Sequence, residues 1–521
     1  MTTMQPAASR PISIDLNGEH ADTGVRAGSV AQTRGERPTE PLIFEKSASG
    51  ARAIDLPKLD VDATPIPSAL AGAAPDWPEL GQLQVIRHYT HLSQRNFGVD
   101  GEFYPLGSCT MKYNPRINEF AAAQPGFAHI HPLMDDADVQ GALALLYETR
   151  RMLEEVSGLD EACLQPAAGA HGEYTALKVM REYFRDIGQP QRTVVFAPDN
   201  AHGTNPASCA MCGANVVAIK TVNGYTDIDA LKKAIADAGP ENVAGLMITN
   251  PNTAGLFDRY VQDIADIIHE AGGLLYLDGA NMNAILGKTR PGDFGADMMH
   301  YNTHKTFSTP HGCGGPGSGP IAVKKFLAPY LPVPQIIKKD DGTYALDFDR
   351  PKSIGKVRSF FGQTGVLVRC WTYMRACGPV GLREASELAV LNANYLAARL
   401  RHRYEMPFFN PEQGVYCAHE FVTVPQALLD KGVTILDIAK RLIDYRIHPP
   451  TMHWPVRNCL MVEPTETEGK DVLDRFVDAM LRIADEIEQD AKGLAEAPRD
   501  AIVKRLDIVA ADRKPVLTHG G

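Results

Sequence analysis

The chain has 521 residues, of which 44% are hydrophobic and 22% are charged, a balance typical of a globular protein with about two to four domains. Its net charge of −11 repels phosphate backbones and argues against nucleic-acid binding. Nine cysteines without a repeating framework favour reduced thiols. No stretch approaches the roughly 20 apolar residues of a membrane span, and no secretory signal or presequence is recognisable. We therefore expect a cytoplasmic protein.

The chain divides by composition into four segments. Residues 1–40 are rich in small and polar residues without periodicity, which predicts a disordered extension. Residues 41–85 contain short apolar pieces separated by prolines, which predicts an extended arm that packs on another surface. Residues 86–380 are expected to form a large domain, and residues 381–521 a smaller α+β domain.

In the large domain, apolar runs alternate with amphipathic helices. This alternation predicts an α/β fold with a mostly parallel sheet covered on both faces. The predicted strands are Thr193–Ala197, Asn215–Ile219, Ala244–Ile248, Leu274–Leu277, Asp297–Tyr301 and Pro320–Val323. The predicted helices are Asp136–Glu155, His171–Arg185, Asp227–Asp237 and Tyr260–Ala271. In the smaller domain we predict strands Glu420–Val424 and Cys459–Val462, and helices Ile435–Tyr445 and Asp471–Gln489 after a helical stretch over Gly381–Tyr404.

Two motifs are candidates for a ligand site: a helix entry rich in small residues, and a carboxylate at the end of an apolar strand. The small residues of 165–172 precede a helix, so their backbone N–H groups can approach an anion, although a plain helix-entry turn has the same pattern. Asp278 ends an apolar strand, where ligands bind in open α/β sheets and where a carboxylate can keep a pyridine nitrogen protonated. A turn-capping aspartate is an equally good interpretation of Asp278 by itself.

A lysine and a glycine-rich loop follow in chain order. Lys305 comes a few residues after a predicted strand. A buried amine at such a place becomes a nucleophile toward carbonyls. The competing interpretation is an exposed lysine, which is the usual state of this residue type. The order of helix entry, aspartate and lysine is the order that a pyridoxal-phosphate (PLP) site requires, so Lys305 is predicted to carry PLP as a Schiff base. Residues 310–320 lie between two predicted strands, which favours a mobile active-site loop over a linker.

The ordered motifs resemble the P-protein of the glycine cleavage system, a PLP-dependent glycine dehydrogenase (decarboxylating). The resemblance is nearest to subunit 2 of those P-proteins that are split into two chains, and it spans about residues 41–490. The stretches that carry it are 103–115, 165–173, 202–206, 249–253, 278–281, 304–307, 311–320, 448–451 and 463–466.

The resemblance implies a fold-type I PLP-dependent transferase. It implies a Schiff base on Lys305, a salt bridge from Asp278 to the ring nitrogen and His171 stacked on the ring. It further implies phosphate binding by backbone near Gly169 and Ala170, with Thr303 and His304 bordering the cofactor. No metal site is expected.

Two positions depart from the family's pattern. Cys313 stands where the family usually has a small residue, and Gln363 stands where related subunits often have asparagine. A phosphate contact from Gln363 is therefore in doubt. His202 either approaches the substrate or only forms a hydrogen-bonded turn.

The resemblance implies that the chain decarboxylates glycine and transfers the aminomethyl group to the lipoyl arm of H-protein. It also implies a heterotetramer with subunit 1 of the P-protein. One alternative is another PLP-dependent decarboxylase or aldolase, which would not need H-protein. A second alternative is a non-catalytic scaffold subunit, which Lys305 within His304–Phe307 argues against.

Overall fold

The computed structural model describes residues 40–62, 64–73, 75–311 and 317–517. The predicted extension over residues 1–40 and the centre of the glycine-rich loop, with Cys313, lie outside these described ranges, apart from Glu40. The chain divides between Leu92 and Ser93 into two compact units, which we describe separately.

The first unit contains few helical residues. A 3₁₀ helix spans Ile43–Lys46, and helix α1 spans Gln82–Ser93. Glu40 accepts hydrogen bonds from Lys46 and lies 3.0 Å from ring nitrogens of both His88 and His91. Many apolar side chains of this unit are exposed, among them Leu42, Ile54, Leu56, Leu59, Val61, Ile66, Leu70 and Trp77.

The strands of the second unit belong to one large sheet, one small sheet and two hairpins. They are β1 (Glu161–Cys163), β2 (Val194–Pro198), β3 (Asn215–Ile219), β4 (Thr221–Val222), β5 (Tyr225–Thr226), β6 (Val243–Thr249), β7 (Leu274–Gly279), β8 (Met298–Tyr301), β9 (Ile321–Val323), β10 (Gln335–Lys338), β11 (Tyr344–Asp347), β12 (Phe421–Thr423), β13 (Thr451–Met452) and β14 (Leu460–Val462). The α-helices are α2 (Arg116–Ala122), α3 (Pro125–Ala128), α4 (Gln140–Ser157), α5 (Gly169–Asp186), α6 (Thr204–Met211), α7 (Ile228–Ala238), α8 (Val261–Glu270), α9 (Thr364–Leu400), α10 (Gln426–Leu429), α11 (Ile435–Asp444), α12 (Lys470–Asp490) and α13 (Ile508–Arg513).

The large sheet has the order β1-β9-β8-β7-β6-β2-β3. The neighbours from β3 to β8 are parallel, and β9 pairs antiparallel with both β8 and β1. The predicted α/β fold with a mostly parallel sheet is therefore confirmed. Its six predicted strands are present with shifts of up to two residues at their ends.

Helices cover both faces of this sheet, which explains why its strands are continuously apolar. In β7, Leu274 and Tyr276 pack in one core with Leu177 and Phe184 of α5. The alternate residue Leu275 packs in the opposite core, together with side chains of α4, α8 and the first half of α9. The strand's side-chain period of two divides its residues between these two cores.

The small sheet has the order β12-β14-β13 and is antiparallel. It packs with α11, α12 and the second half of α9 around a separate apolar core. Helix α9 connects the two cores and is kinked at Gly378, where φ is +60° and Pro379 follows. Proline within a helix removes a backbone hydrogen bond, so a kink is expected there. Within the described residues, no helix has both the length and the apolar character needed to cross a membrane.

Candidate active site

The aspartate predicted to end a strand and the lysine predicted to follow one line the same cleft. Asp278 lies in β7 beside His300 of the parallel strand β8, and Lys305 follows β8. Asp278 is 3% exposed and Lys305 is 8% exposed. The cleft encloses about 330 Å³ and is lined by Ser108, His202, Thr249, Pro251, Thr253, Asp278, Ala280, Asn281, Lys305, His419 and Glu420. A carboxylate and an amine thus share one cavity at the carboxyl ends of parallel strands.

Asp278 is held in its charged form by its surroundings. Its Oδ1 accepts a hydrogen bond from the Ala280 N–H at 3.0 Å, and its Oδ2 accepts one from the Thr249 hydroxyl at 3.3 Å. Burial by itself raises the pKa of Asp278, but the His300 and His202 rings, the Ala280 N–H and Lys305 outweigh burial and lower it. Asp278 is therefore a buried carboxylate with cationic and hydrogen-bonding partners.

A hydrogen-bonded histidine lies directly behind Asp278. The Tyr276 hydroxyl is 2.6 Å from His300 Nδ1, and His300 Nε2 lies 3.6 Å from Asp278 Oδ1. Burial lowers the pKa of His300 to about 4. On the other side, Glu173 accepts hydrogen bonds from the hydroxyls of Thr204 and Ser208, and burial followed by the charge of Asp278 raises its pKa to about 7.

The glycine-rich helix entry packs tightly against the segment that follows β8. Gly169 is the first residue of α5, and a side chain there would collide with the Asn302 amide. Gly319 is equally restricted, because a side chain would overlap the Ala168 carbonyl. The backbone N–H groups in the first turn of α5 have no acceptors within the helix, as in any helix. Ala170, in this turn beside Gly169, is exposed.

His171 occupies the first turn of α5. Its Nδ1 accepts a hydrogen bond from the Ala167 N–H at 3.1 Å, which fixes the orientation of the ring. Burial lowers the pKa of His171, and the positive charge of Arg358 lowers it further. Arg358 was not singled out in the sequence, although its Nε and Nη1 are buried and lack hydrogen-bond partners within the described residues. Two buried guanidinium N–H groups without acceptors on a half-buried arginine are costly, so this position favours an anionic ligand.

Thr303 and His304 are not among the residues that line the cleft with Lys305, and their predicted place beside the cofactor stays a prediction. Thr303 is fully buried, and its hydroxyl lies 3.4 Å from the Ser318 carbonyl and 3.3 Å from the Thr309 hydroxyl. His304 packs edge-on against His311 with 4.9 Å between ring centroids, and burial together with His311 lowers its pKa to about 3. His304 lines a second cleft of about 870 Å³ with Gly98, Val99, Asp100, Thr110, Met111, Lys112, Asn114, Arg116, Glu119, Thr309, Pro310 and His311.

His202 forms the predicted hydrogen-bonded turn, and its approach to the substrate stays a prediction. Its Nδ1 lies 2.8 Å from the Thr204 hydroxyl, which is the hydrogen-bonded turn, and its ring also lines the cleft. Burial lowers its pKa. Gln363 directly precedes α9, and its backbone carbonyl accepts the N–H groups of Val366 and Leu367.

The segment 103–115 joins the small sheet to the cleft. Leu106 forms an isolated bridge with Val462 of β14, and Gly107 packs so closely on Met461 that no side chain fits there. Ser108 and Thr110 both have positive φ, of 61° and 54°, which L residues rarely adopt. This conformation turns the Ser108 side chain toward the cleft and the Thr110 side chain toward Glu463.

The small domain contributes side chains that were not predicted as site residues. His419 and Glu420 come just before β12, are each 2% exposed and line the cleft beside Lys305. Glu463 is fully buried behind them, with its carboxylate 3.9 Å from His419 Nε2. The signal that the sequence offers for these site residues is the pair His419-Glu420 directly before the apolar strand β12.

Two family models match the chain. The model described as glycine cleavage system P-protein matches residues 130–344, and the model of the glycine dehydrogenase C-terminal domain matches residues 385–505. The chain is 51% identical over 488 residues to a probable glycine dehydrogenase (decarboxylating) subunit 2 from Halalkalibacterium halodurans, covering 92% of this chain and 98% of the relative. The identically named relative from Bacillus licheniformis is also 51% identical over 488 residues, covering 92% and 99%.

Solved structures of PLP-fold proteins superpose on the chain. A glycine decarboxylase (P-protein) of the glycine cleavage system, in inhibitor-bound form, matches with a TM-score of 0.66 at 21% identity, over 80% of this chain and 93% of that one. A rice tryptamine-bound TDC containing PLP matches with a TM-score of 0.60 at 12% identity, over 81% and 92%. These likenesses show a shared fold. By its sequence identity to full-length relatives, the chain belongs to the glycine cleavage system P-protein family, in the group of its separate second subunits.

Proposed function

We propose that this chain is the PLP-bearing half of a split P-protein, which decarboxylates glycine and passes the aminomethyl group to the lipoyl arm of H-protein. The observation that carries the proposal is the shared burial of Lys305 and Asp278 in one cleft, on adjacent parallel strands. The relatives that are 51% identical over nearly their whole length carry the name of this activity.

The residues around the cleft fit a phosphate-bearing pyridine cofactor. Lys305 supplies the amine for a Schiff base, and Asp278 supplies a carboxylate for the ring nitrogen. His171, fixed by Ala167, is positioned to stack on the ring. The first turn of α5 at Gly169 and Ala170 offers N–H groups to the phosphate, and the unpartnered guanidinium of Arg358 near His171 offers a cation.

When bound, PLP would accept the electron pair that remains after CO2 leaves. Asp278 holds a proton at the ring nitrogen, since a buried carboxylate with a lowered pKa favours a cation beside it. Lys305 would hold the cofactor through its amine, and the same amine, when not bound to the cofactor, would be available to move a proton in the cleft. Asp278, Lys305 and Glu420 are each less than 10% exposed, and a lining with little access to water favours loss of a charged carboxylate as neutral CO2.

Borohydride trapping tests this proposal directly. The purified protein, incubated with PLP, should absorb visible light, and borohydride should bleach this absorption while attaching the cofactor covalently. Peptide mapping should then place the label on Lys305. A label on another lysine, or no trapped label, would contradict the assignment.

A requirement for H-protein separates this function from the other PLP-dependent activities. A glycine-specific P-protein should exchange the glycine carboxyl group with bicarbonate only slowly until lipoylated H-protein is added. A simple decarboxylase or aldolase would reach full turnover without H-protein.

We also propose that the functional particle is a heterotetramer with subunit 1. The relatives are named as second subunits, which indicates a first one. In the described part of residues 40–92, large apolar side chains such as Leu56, Leu70 and Trp77 are more than 70% exposed. An exposed apolar set of this kind marks a protein–protein interface.

A further inference from the structure

Three buried titratable side chains form a cluster at the edge of the cleft. One ligand-type atom from each of His419, Glu420 and Glu463 lies within 4.8 Å of the others. Two of them, His419 and Glu420, line the cleft together with Lys305. Nothing in the chemistry assigned to Lys305 and Asp278 uses this cluster.

The two carboxyl groups of the cluster differ in their hydrogen bonds. Glu463 accepts bonds from the Thr110 N–H at 3.0 Å, from the Thr110 hydroxyl at 2.7 Å and from the Asn281 amide at 3.0 Å. These donors satisfy a carboxylate. Among the described residues, the Glu420 carboxyl group has hydrogen-bond donors from Ser108 alone, whose N–H lies 2.7 Å from Oε2 and whose hydroxyl lies 3.3 Å from Oε1. These donors occupy lone pairs that a metal ion would need, and two buried carboxyl groups this close favour one bound proton because like charges repel.

The hydrogen bonds favour Glu420 as the protonated group, because three donors already stabilise the charged form of Glu463. Burial, followed by the nearby charge of Glu463, raises the pKa of Glu420 to about 8. The titratable groups that face Glu420 are Glu463, His419, Lys305, Cys109 and Cys417. Burial raises the pKa of both thiols, that of Cys109 to about 11, and burial lowers the pKa of His419. Near pH 7 the cluster therefore presents a neutral acid and a neutral imidazole to the cleft.

The cleft is poor in lysine and arginine side chains that could hold a carboxylate by charge. Within the described part of the chain, Lys305 is the one Lys or Arg among the lining residues. Lys305 is the amine that the substrate's amine replaces, so it does not serve as a fixed partner. His419 is 2% exposed and its Nδ1 has no hydrogen-bond partner among the described residues, which leaves a second neutral group beside Glu420.

We propose that Glu420, as a neutral carboxylic acid, donates a hydrogen bond to the carboxylate of the amino-acid substrate, with His419 beside it. This inference rests on the function proposed above. A neutral donor suits decarboxylation, because an ion pair would stabilise the carboxylate that must be lost more than it stabilises the transition state. The geometry that supports it is the position of both side chains on the wall of the Lys305 cleft.

The test compares two amines in the PLP-loaded complex. Dissociation constants for glycine and for methylamine, which lacks a carboxylate, are measured by calorimetry for wild type, E420L and E420Q. We expect E420L to weaken glycine binding by about tenfold or more, the loss of one hydrogen bond to a charged group, with methylamine within about twofold. E420Q keeps an N–H donor, so it should bind glycine within about threefold of wild type.

The pH dependence separates a donor role from a structural one. In wild type, glycine binding should weaken above about pH 8 as Glu420 ionises and repels the carboxylate. E420Q should lack this alkaline decline. The matched control is E468Q, because burial raises the pKa of Glu468 to about 7 but its side chain lines neither cleft. E468Q should leave both affinities and the alkaline decline unchanged.

An infrared measurement on the unloaded chain does not depend on the cofactor. The C=O stretch of protonated carboxyl groups should be present at pH 7 with contributions from Glu173 and Glu468, and the difference spectrum between wild type and E420Q should show the further component that belongs to Glu420. An unchanged band in E420Q, or equal weakening of glycine and methylamine binding in E420L, would overturn the inference while leaving the proposed function intact. If wild type bound neither PLP nor glycine, the proposed function would fail, and this inference would fail with it.

Discussion

Lys305 is the residue on which the proposed activity depends most directly. We expect Lys305→Ala to abolish the visible absorption of the bound cofactor and all glycine–bicarbonate exchange, because no other lysine lines the cleft within the described residues. Lys325→Ala is the control, since Lys325 is an exposed lysine just after β9. Covalently attached PLP in the Lys305→Ala protein would disprove the assignment.

Asp278 tests the electrostatic part of the site separately from cofactor attachment. Asp278→Asn keeps the shape of the side chain but removes the charge that holds the ring nitrogen protonated. We expect decarboxylation to fall by about 10²-fold or more while PLP still binds, in line with the loss of a preorganised electrostatic partner. Steady-state exchange rates together with cofactor absorption measure both effects.

The control for this prediction is Asp263→Asn, at an exposed position of α8. Turnover of Asp278→Asn close to that of wild type would show that the carboxylate does not set the electronics of the ring.

At the scale of elements, a buried ion pair ties the segment 103–115 to both domains. Lys112 Nζ donates to the Glu466 carboxylate at 2.6 Å, to the Thr306 carbonyl at 2.7 Å and to the Tyr373 hydroxyl at 3.2 Å. Burial alone lowers the pKa of Lys112, but the charge of Glu466 outweighs burial and raises it. Because Thr306 follows Lys305, the same pair also fixes the loop that carries the candidate cofactor lysine.

We expect Lys112→Met to destabilise the protein by about 3–5 kcal/mol, because it leaves the Glu466 carboxylate buried without its partner. Denaturant unfolding of the variant measures this loss. Lys470→Met is the matched control, since the Lys470–Asp474 pair is exposed and should leave the unfolding midpoint unchanged. A double variant, Lys112→Met with Glu466→Gln, should recover part of the stability, and no recovery would argue against an unpaired charge as the cause.

The elements that could be predicted from the sequence are those with local signals. The strand predicted over 215–219 has the same bounds as β3, and the periodicity of residues 171–185 identified α5. The strand β1 has three residues and pairs antiparallel with β9, so it is too short to show a pattern. The hydrogen bond from Ser108 to Glu420 spans 312 residues and depends on tertiary packing, which no local pattern encodes.

The residues of the candidate site divide in the same way, into those with a local sequence signal and those brought together only by tertiary packing. Asp278 and Lys305 were found because each follows an apolar strand in chain order. Thr303 lies two residues before Lys305, but its hydroxyl lies near the Ser318 carbonyl and the Thr309 hydroxyl, contacts that depend on how the turn after β8 folds and that no local pattern encodes. Glu420 was missed as a site residue, since its role appears only when the small domain packs over the large one.

At the scale of the whole molecule, the second unit provides one large and one small domain, and both contribute residues to the cleft that Lys305 lines. Fold-type I enzymes commonly complete their sites at a protomer interface, and the relatives are named as one of two subunits. The exposed apolar residues of the first unit would be stabilised by burial against a partner, at roughly 25 cal/mol per Å² of apolar surface. A second exposed apolar set lies near the C-terminus and comprises Ile502, Val503, Leu506, Ile508, Val509, Val516 and Leu517.

We therefore expect that the chain alone does not catalyse glycine–bicarbonate exchange. Co-expression with subunit 1 should give a heterotetramer of two copies of each chain, with an interface of obligate size, above about 2,000 Å². Size-exclusion chromatography with light scattering measures the assembly, and exchange in the presence of H-protein measures the activity.

The competing assembly is a self-sufficient homodimer, a common state among PLP enzymes. Replacing Leu56, Leu70 and Trp77 by serine should weaken the heteromer without changing the fold of the second unit, because these side chains are exposed in the free chain. Full exchange activity from the lone chain would establish the homodimer and overturn the heterotetramer.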